Sequence, residues 1–202
     1  TRKALGLEGA LPVVGTVGRL TGEKGQRYLI EAMLRVRQRF DRAKLLLVGG
    51  GRMRTELERL AERLGLAAHV VFAGLRHDVP DMLAAMDVFV LPSLYEAMGL
   101  ALVEAMAAGI PCVATGVGGV PGIMTDGEEG LLAAAADAGS LADAVVRIAA
   151  DRALAERLAR QGRERAVRDF TIKRMVDGYA GLYERALKGR QARSEAAQRS
   201  DA

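Results

Sequence analysis

Cysteine, histidine and tryptophan are scarce here: the 202 residues hold one cysteine, two histidines and no tryptophan. The lone Cys112, set in the apolar run IPCVA, excludes an internal disulfide and a cysteine-based zinc cage, and its surroundings give it the character of a buried core thiol. His69 precedes a predicted strand and His77 sits in a predicted loop; with no cysteines or clustered carboxylates beside them, no metal site is expected. Long apolar runs are lacking too. Stretches such as Val88 to Pro92 fall far short of the roughly 18 to 20 residues that cross a bilayer, so no membrane span is expected. The amino terminus, TRKALGLEGALPVVG, has no continuous apolar region ending in a cleavage site and does not read as a secretory signal. The expectation is a cytoplasmic chain entered in mid-protein.

A one-signed charge excess is also missing over most of the length. Residues 1–151 hold 16 basic against 18 acidic side chains, whereas 152–202 hold 13 against 7, so the net charge of +4 is C-terminal. Two readings of that excess stay open. An arginine-rich solvated helix needs no partner, while the same charge would allow a peripheral contact with anionic lipid at the inner membrane face or with a phosphorylated acceptor. Nothing points to nucleic acid.

What is present is apolar material, 50% of the residues, enough for one substantial core and short for two full domains. Runs rich in β-branched residues recur at 11–18, 44–49, 69–74, 87–93 and 110–115 and read as buried strands. Between them lie helical periodicities at about 26–40, 53–64, 79–86 and 100–108. Strict alternation with long connections predicts a doubly wound, Rossmann-like parallel sheet. Beyond 115 the glycine-rich TGVGGVPGIMTDGEEGLL marks turns around one short helix and a small strand. Three helices then close the chain, with Ser140, Asp151 and Thr171 as expected N-caps. Residues 188–202 have no apolar stripe and are expected to be a disordered tail.

In an open parallel sheet the ligand lies beyond the carboxyl ends of the strands, where helix N–H groups aim outward. The five loops on that rim all carry glycine, charge or both. Arg19 and Lys24, after Gly18, flank a glycine turn ahead of the first helix, a placement suited to clamping a diphosphate. In the fourth loop Glu96 precedes a helix start and Glu104 lies inside that helix, with the N–H groups of Gly99, Leu100 and Ala101 between them. Carboxylates accept from sugar and ribose hydroxyls, and free N–H groups receive phosphate. By spacing alone each of these residues also fits plain surface decoration or helix capping. Gly49-x-Gly51-x-x-Arg54 lacks the third glycine of a dinucleotide fingerprint and follows the second strand, not the first.

Taken in order, VGRLTGEKG, LLLVGGG, VVFAGLRHDVP, DVFVLPSLYEAMGLALVEAMAAGIPCVATGVGGVPGI and DGEEGLL resemble the C-terminal domain of family 4 glycosyltransferases, over about residues 11–187. The family's Glu-x7-Glu element falls on Glu96 and Glu104. The resemblance implies a GT-B fold whose C-terminal, Rossmann-like half binds a nucleotide-diphosphate sugar, UDP- or GDP-linked. It implies Arg19 and Lys24 on the diphosphate and Glu104 on the ribose. Gly99, Leu100 and Ala101 would hold phosphate and sugar through main-chain N–H groups, and Leu75 and Arg76 would lie against the base. Glu96 would stand beside the transferred sugar. Catalytic roles are thereby implied for Glu96, Arg19 and Lys24, in a retaining transfer that needs no metal or cofactor.

Two positions depart from the family pattern: Glu96-Ala97-Met98-Gly99 stands where Glu-Gly-Phe-Gly is common, and Gly122 replaces an acid often found near the donor sugar. The family's N-terminal domain, which binds the acceptor glycan or lipid, has no counterpart upstream of Leu11. Residues 1–10 are therefore expected to be a linker, and the domain alone to be inactive. The last helix, from Met175 to Leu187 with Tyr179, Leu182 and Tyr183, is expected to expose an apolar face that could drive self-association. A non-catalytic nucleotide- or sugar-binding module and a GT-B nucleotide-sugar epimerase are the alternative readings, the Glu96–Glu104 element favouring the transferase over the epimerase.

Overall fold

A computed structural model describes the backbone of residues 1–200 and the side chains of residues 1–188. The chain divides into two compact units, Thr1–Ala166 and Val167–Ala202. The first unit contains a six-stranded sheet: β1 Val13–Val17, β2 Lys44–Val48, β3 Val70–Gly74, β4 Val88–Leu91, β5 Cys112–Thr115 and β6 Leu131–Ala133. Its order is β3-β2-β1-β4-β5-β6 and every pairing is parallel. The order reverses between β1 and β4. At such a reversal the loops leaving the two central strands diverge and open a crevice above their carboxyl ends.

Both faces of this sheet are covered, which is why its strands read as continuous apolar runs and not as alternating ones. Leu45, Leu46, Leu47, Phe89, Val90 and Val113 are all fully buried. Val14, Leu45, Leu47, Val90 and Val113 share one core with residues of α1 (Gln26–Arg39), α2 (Arg54–Arg63) and α6 (Ala138–Ala150). Burying each large side chain contributes about 1.5 to 3 kcal/mol. The chain also forms α3 (Val79–Ala84), α4 (Leu100–Ala107), which packs on β4 and β5, α5 (Val120–Ile123) and α7 (Arg152–Asp169).

Local chemistry fixes the boundaries. Helix α4 stops where Gly109 takes a left-handed φ of 73°, a conformation cheap only for glycine. Asp151 caps α7 by accepting from Leu154 N–H, and Thr171 accepts from Arg174 N–H at the next helix. Helix α6 departs from expectation: its cap is Asp137, which accepts from Ser140 N–H, while the Ser140 hydroxyl accepts from Ala134 N–H. The helix thus begins three residues earlier than expected, with Ser140 in its first turn and its N–H taken by the Asp137 carboxylate.

The segment 1–10, expected as a linker, folds into turns. Leu7 is fully buried, and Arg2 donates to Ala85 O and to Asp87, whose other oxygen accepts from Val13 N–H. In the second unit α8 is Ile172–Ser200, and the side chains of the stretch expected to be disordered lie outside the described residues from 189 onward. Ile172, Met175, Val176, Tyr179, Leu182 and Tyr183 on α8 are exposed. Among the described residues no helix is long and apolar enough to cross a membrane.

Candidate functional site

The crevice at the β1/β4 reversal is a cleft of about 530 Å³ lined by Gly18, Arg19, Lys24, Glu96, Met98 and the start of α4. Its two walls come from loops distant in sequence. A 3-10 turn over Gly22–Lys24 leads into α1 through Gly25, whose φ is 65°. A side chain at Gly25 would run into the Pro92 carbonyl, so this glycine lets the first loop lie directly against the fourth. Leu94 N–H then donates to Glu23 O across the join.

That approach brings Lys24 to Glu96. Lys24 Nζ stands 2.6 Å from Glu96 Oε2, with the two side chains only 21% and 11% exposed. Glu96 also accepts from the Ser93 hydroxyl at 3.1 Å and from Gly99 N–H at 3.2 Å. Beneath them Gly118, at a φ of 53°, and Gly119 approach the backbone of Glu96 and Ala97 so closely that neither position has room for a side chain. Gly119 N–H donates to Glu96 O at 2.9 Å. The loop is therefore held from below by α5 and in front by Lys24.

The expected site residues do not all converge. Lys24, Arg19, Gly18, Glu96, Gly99, Leu100 and Ala101 line one cleft. Arg19 is the more exposed of its two cations, with a side chain 76% exposed and a 3.8 Å contact to Glu23. Gly99 N–H, expected to be open, is taken by Glu96, leaving the N–H groups of Leu100 and Ala101 at the first turn of α4. Leu75 and Arg76 line an adjoining pocket of about 180 Å³ with Gly18, Arg19, Gly49 and Gly50. Arg76 is bound there through two nitrogens to Asp78, at 2.8 and 2.6 Å.

Glu104 is exposed and borders a third, mostly apolar hollow with Val79, Pro80, Leu83, Ala107 and Ala108. It does not share a cavity with Glu96. Four residues beyond Leu100 it stays on that residue's helix face but sits one turn deeper, toward α3. The three hollows form a row, the first two sharing Arg19 and the second and third sharing Val79.

This row of hollows belongs to a known kind of domain. The glycosyl transferases group 1 model matches residues 1–165. The chain belongs to that glycosyltransferase family. It is 40% identical over 171 residues to the lipopolysaccharide core biosynthesis glycosyltransferase LpsE of Rhizobium meliloti, covering 85% of this chain and 49% of the relative. HepE of Anabaena, solved with UDP and glucose, superposes with a TM-score of 0.84 at 30% identity, over 91% of this chain and 50% of that one. Sucrose-phosphate synthase from Thermosynechococcus elongatus gives a TM-score of 0.82 at 35% identity, over 93% and 48%. The chain thus spans about half the length of the relatives it matches. The glycosyltransferase domain has the Rossmann-like fold of the GT-B type, and the match begins at residue 1, ahead of the Leu11 at which the likeness is first legible.

Sequence reasoning passed over three supports of this glycosyltransferase cleft. Ser93 and Thr115 are fully buried polar residues; Ser93 donates to Glu96, and the Thr115 hydroxyl donates to the carbonyls of Ser93 and Leu91. Gly118 is the third. A fully buried hydroxyl is held by partners, and the signal available was position: Ser93 three residues before Glu96, and Thr115 at the end of the neighbouring strand. Cys112 is buried, and desolvation pushes its thiol well up, away from the reactive thiolate.

Proposed function

We propose that the domain binds a nucleotide-diphosphate sugar along this row of hollows and presents the sugar for retaining transfer to an acceptor held by the remainder of the parent protein. The observation that carries the reading is the junction of cation, carboxylate and helix start in one cleft. Lys24, Glu96 and the first N–H groups of α4 all line it, opposite charges arranged for a ligand with an anionic middle and a hydroxylated end. Arg19 and Lys24 hold the diphosphate, with the N–H groups of Leu100 and Ala101. Glu96 faces the sugar hydroxyls. Leu75 and Arg76 flank the base, and Glu104, whose hollow meets theirs at Val79, takes the hydroxyls of the ribose that joins the base to the diphosphate.

In the reaction the bond between the anomeric carbon and the diphosphate oxygen breaks, the acceptor oxygen attaches on the same face, and its proton passes to the leaving diphosphate. Lys24 and Arg19 stabilise the charge that grows on that group. Such preorganised electrostatics supplies much of a catalytic effect. An ammonium has three donors, so Lys24 can keep its contact with Glu96 and still reach a phosphate oxygen. Transfer requires the acceptor half, so this domain alone binds and does not turn over.

Titration with UDP, GDP, UDP-glucose and GDP-mannose tests the reading. One pair should bind, with roughly tenfold or greater weakening in Lys24→Ala and a smaller loss in Glu104→Ala. Binding to none of the four, or unchanged affinity in both variants, would falsify the assignment.

A further inference from the structure

Behind the cleft lies a second ion pair that the proposed reaction does not touch. Arg165, on α7, reaches the turn that follows α5. Its Nη1 stands 3.0 Å from Glu129 Oε1, with side chains 19% and 11% exposed. The same nitrogen donates to the Thr125 hydroxyl at 3.1 Å, and Nη2 donates to Gly122 O at 2.9 Å. Glu129 closes the arrangement from the other side by accepting from Thr125 N–H at 2.8 Å. A single guanidinium thus holds the carboxyl end of α5 and the turn after it. A helix of four residues has almost no stability of its own, so its placement depends on such contacts.

The opposite end of α5 is the floor of the Glu96 loop. Gly119, its N-cap, donates to Glu96 O. Ile123 and Val120 are buried, and the Ile123 side chain lies beside the α-carbon of Gly99, where an added Cβ would be 3.8 Å from its Cδ1. The route from Arg165 to the cleft is short: guanidinium to Gly122 carbonyl, one helical turn, then Gly119 N–H to Glu96. Each link is a hydrogen bond or a covalent turn.

We propose that Arg165, oriented by Glu129, is a positioning residue: through α5 it fixes the Glu96 loop, and so sets how the cleft holds the sugar end of its ligand. The proposal rests on the donor-site reading above for the identity of that ligand. Its mechanical part does not. A residue that only stabilises the fold would loosen the domain evenly, whereas Arg165 acts on one loop and one end of the ligand.

The test compares the 202-residue chain with Arg165→Ala, Arg165→Lys, Glu129→Gln and Glu96→Gln. In amide hydrogen exchange, Arg165→Ala should speed Gly119 and the 96–99 segment by a larger factor than β1 and β2, whose exchange follows the global stability. In titrations with whichever pair binds, UDP and UDP-glucose or GDP and GDP-mannose, the diphosphate should bind Arg165→Ala within about twofold of the unsubstituted chain, while the extra affinity of the sugar-bearing form is lost as in Glu96→Gln. The double variant Arg165→Ala/Glu96→Gln should lose no more of that extra affinity than either single one. Arg165→Lys should recover part of the gain, since one charged donor remains, and Glu129→Gln, which preserves volume, should show the same pattern more weakly if Arg165→Ala folds poorly. Unaltered exchange at 96–99, or an intact sugar increment where Glu96→Gln has lost it, overturns the positioning role and leaves the donor site standing. Failure of the unsubstituted chain to bind either UDP-glucose or GDP-mannose removes the donor reading and, with it, the ligand consequence, whereas the exchange result still decides the link itself.

Discussion

Two ion pairs of nearly equal burial flank the Glu96 loop, and they are built differently. In front, Lys24 meets Glu96 at 2.6 Å with side chains 21% and 11% exposed; behind, Arg165 meets Glu129 at 3.0 Å with 19% and 11%. Lysine offers a point charge with spare protons turned to a cleft. Arginine offers a planar fork whose two terminal nitrogens meet Glu129, Thr125 and Gly122. Burial and charge alone do not separate a working pair from a structural one; the number of acceptors around the cation does. The front pair can admit a ligand oxygen without losing its partner, and in the back pair both terminal nitrogens already meet protein acceptors.

The largest expected effect falls on the front pair. Lys24→Ala should weaken nucleotide-diphosphate binding by roughly ten- to a hundredfold, the worth of a charge-assisted contact of about 1.5 to 3 kcal/mol. The substitution should cost less in stability than in affinity, because Glu96 keeps Ser93 and Gly99 as donors. Calorimetric titration beside urea unfolding measures both. If stability falls more than affinity, the front pair is a structural one and the comparison collapses.

For the back pair the order reverses. Arg165→Ala leaves Glu129 without its cation and strands the carbonyl of Gly122, and should lower stability by roughly 2 kcal/mol. That is less than for a fully buried pair because both partners retain some water contact. Urea midpoints at neutral pH decide it. A midpoint for Arg165→Ala equal to that of Lys24→Ala would show that acceptor number is not what distinguishes the two.

Much of this fold is legible from the sequence because strands buried on both faces are continuous apolar runs. KLLLV and VFVL stand in the structure as β2 and β4 within a residue or two of their expected limits. The charges of the cleft are legible as well, since loops at a sheet reversal seldom carry Lys24 and Glu96 for connection alone. Their pairing across 72 residues is not, nor is the placing of Glu104 in a different hollow, because both depend on how loops and helix faces turn in three dimensions. Arg165 is the hardest to read. It sits among Arg157, Arg160, Arg163 and Arg168 on α7 and looks like one more solvated cation, yet it reaches 43 residues back to Gly122.

A smaller effect separates the back pair by pH. Burial pushes the Glu129 carboxyl up, but the Thr125 N–H and the Arg165 guanidinium outweigh it and hold the group below its ordinary value of 4.5. The unfolded chain therefore takes up this proton first as pH falls. The contribution is fully present above the unfolded value and is lost as pH drops through the depressed folded one. Glu129→Gln should be less stable at pH 7, and the gap to the unsubstituted chain should narrow in urea titrations taken below pH 4.5. A gap that stays constant across that window would mean that the pair's charge adds nothing to its hydrogen bonds.

The smallest effect belongs to Arg19, and it sharpens the comparison by supplying a cation with almost no partner. Its side chain is 76% exposed and its contact to Glu23 is 3.8 Å long, so Arg19→Ala should change stability by no more than about 0.5 kcal/mol. Binding should still suffer, because a guanidinium held only by a long, exposed contact at the join of two hollows can close on a diphosphate. The expected loss is several-fold at low salt. It should shrink as salt approaches about 1 M, where charges are screened beyond roughly 3 Å. The Lys24→Ala loss should persist at that salt, since Lys24 works from within the cleft wall at a short, partly desolvated contact. Measuring both variants at two ionic strengths orders the three cations by what surrounds them: one long, exposed carboxylate contact for Arg19, one short contact for Lys24, three acceptors for Arg165. Equal salt sensitivity for Arg19 and Lys24 would break that ordering, because it would put the Lys24 amine in water with Arg19 and not against Glu96.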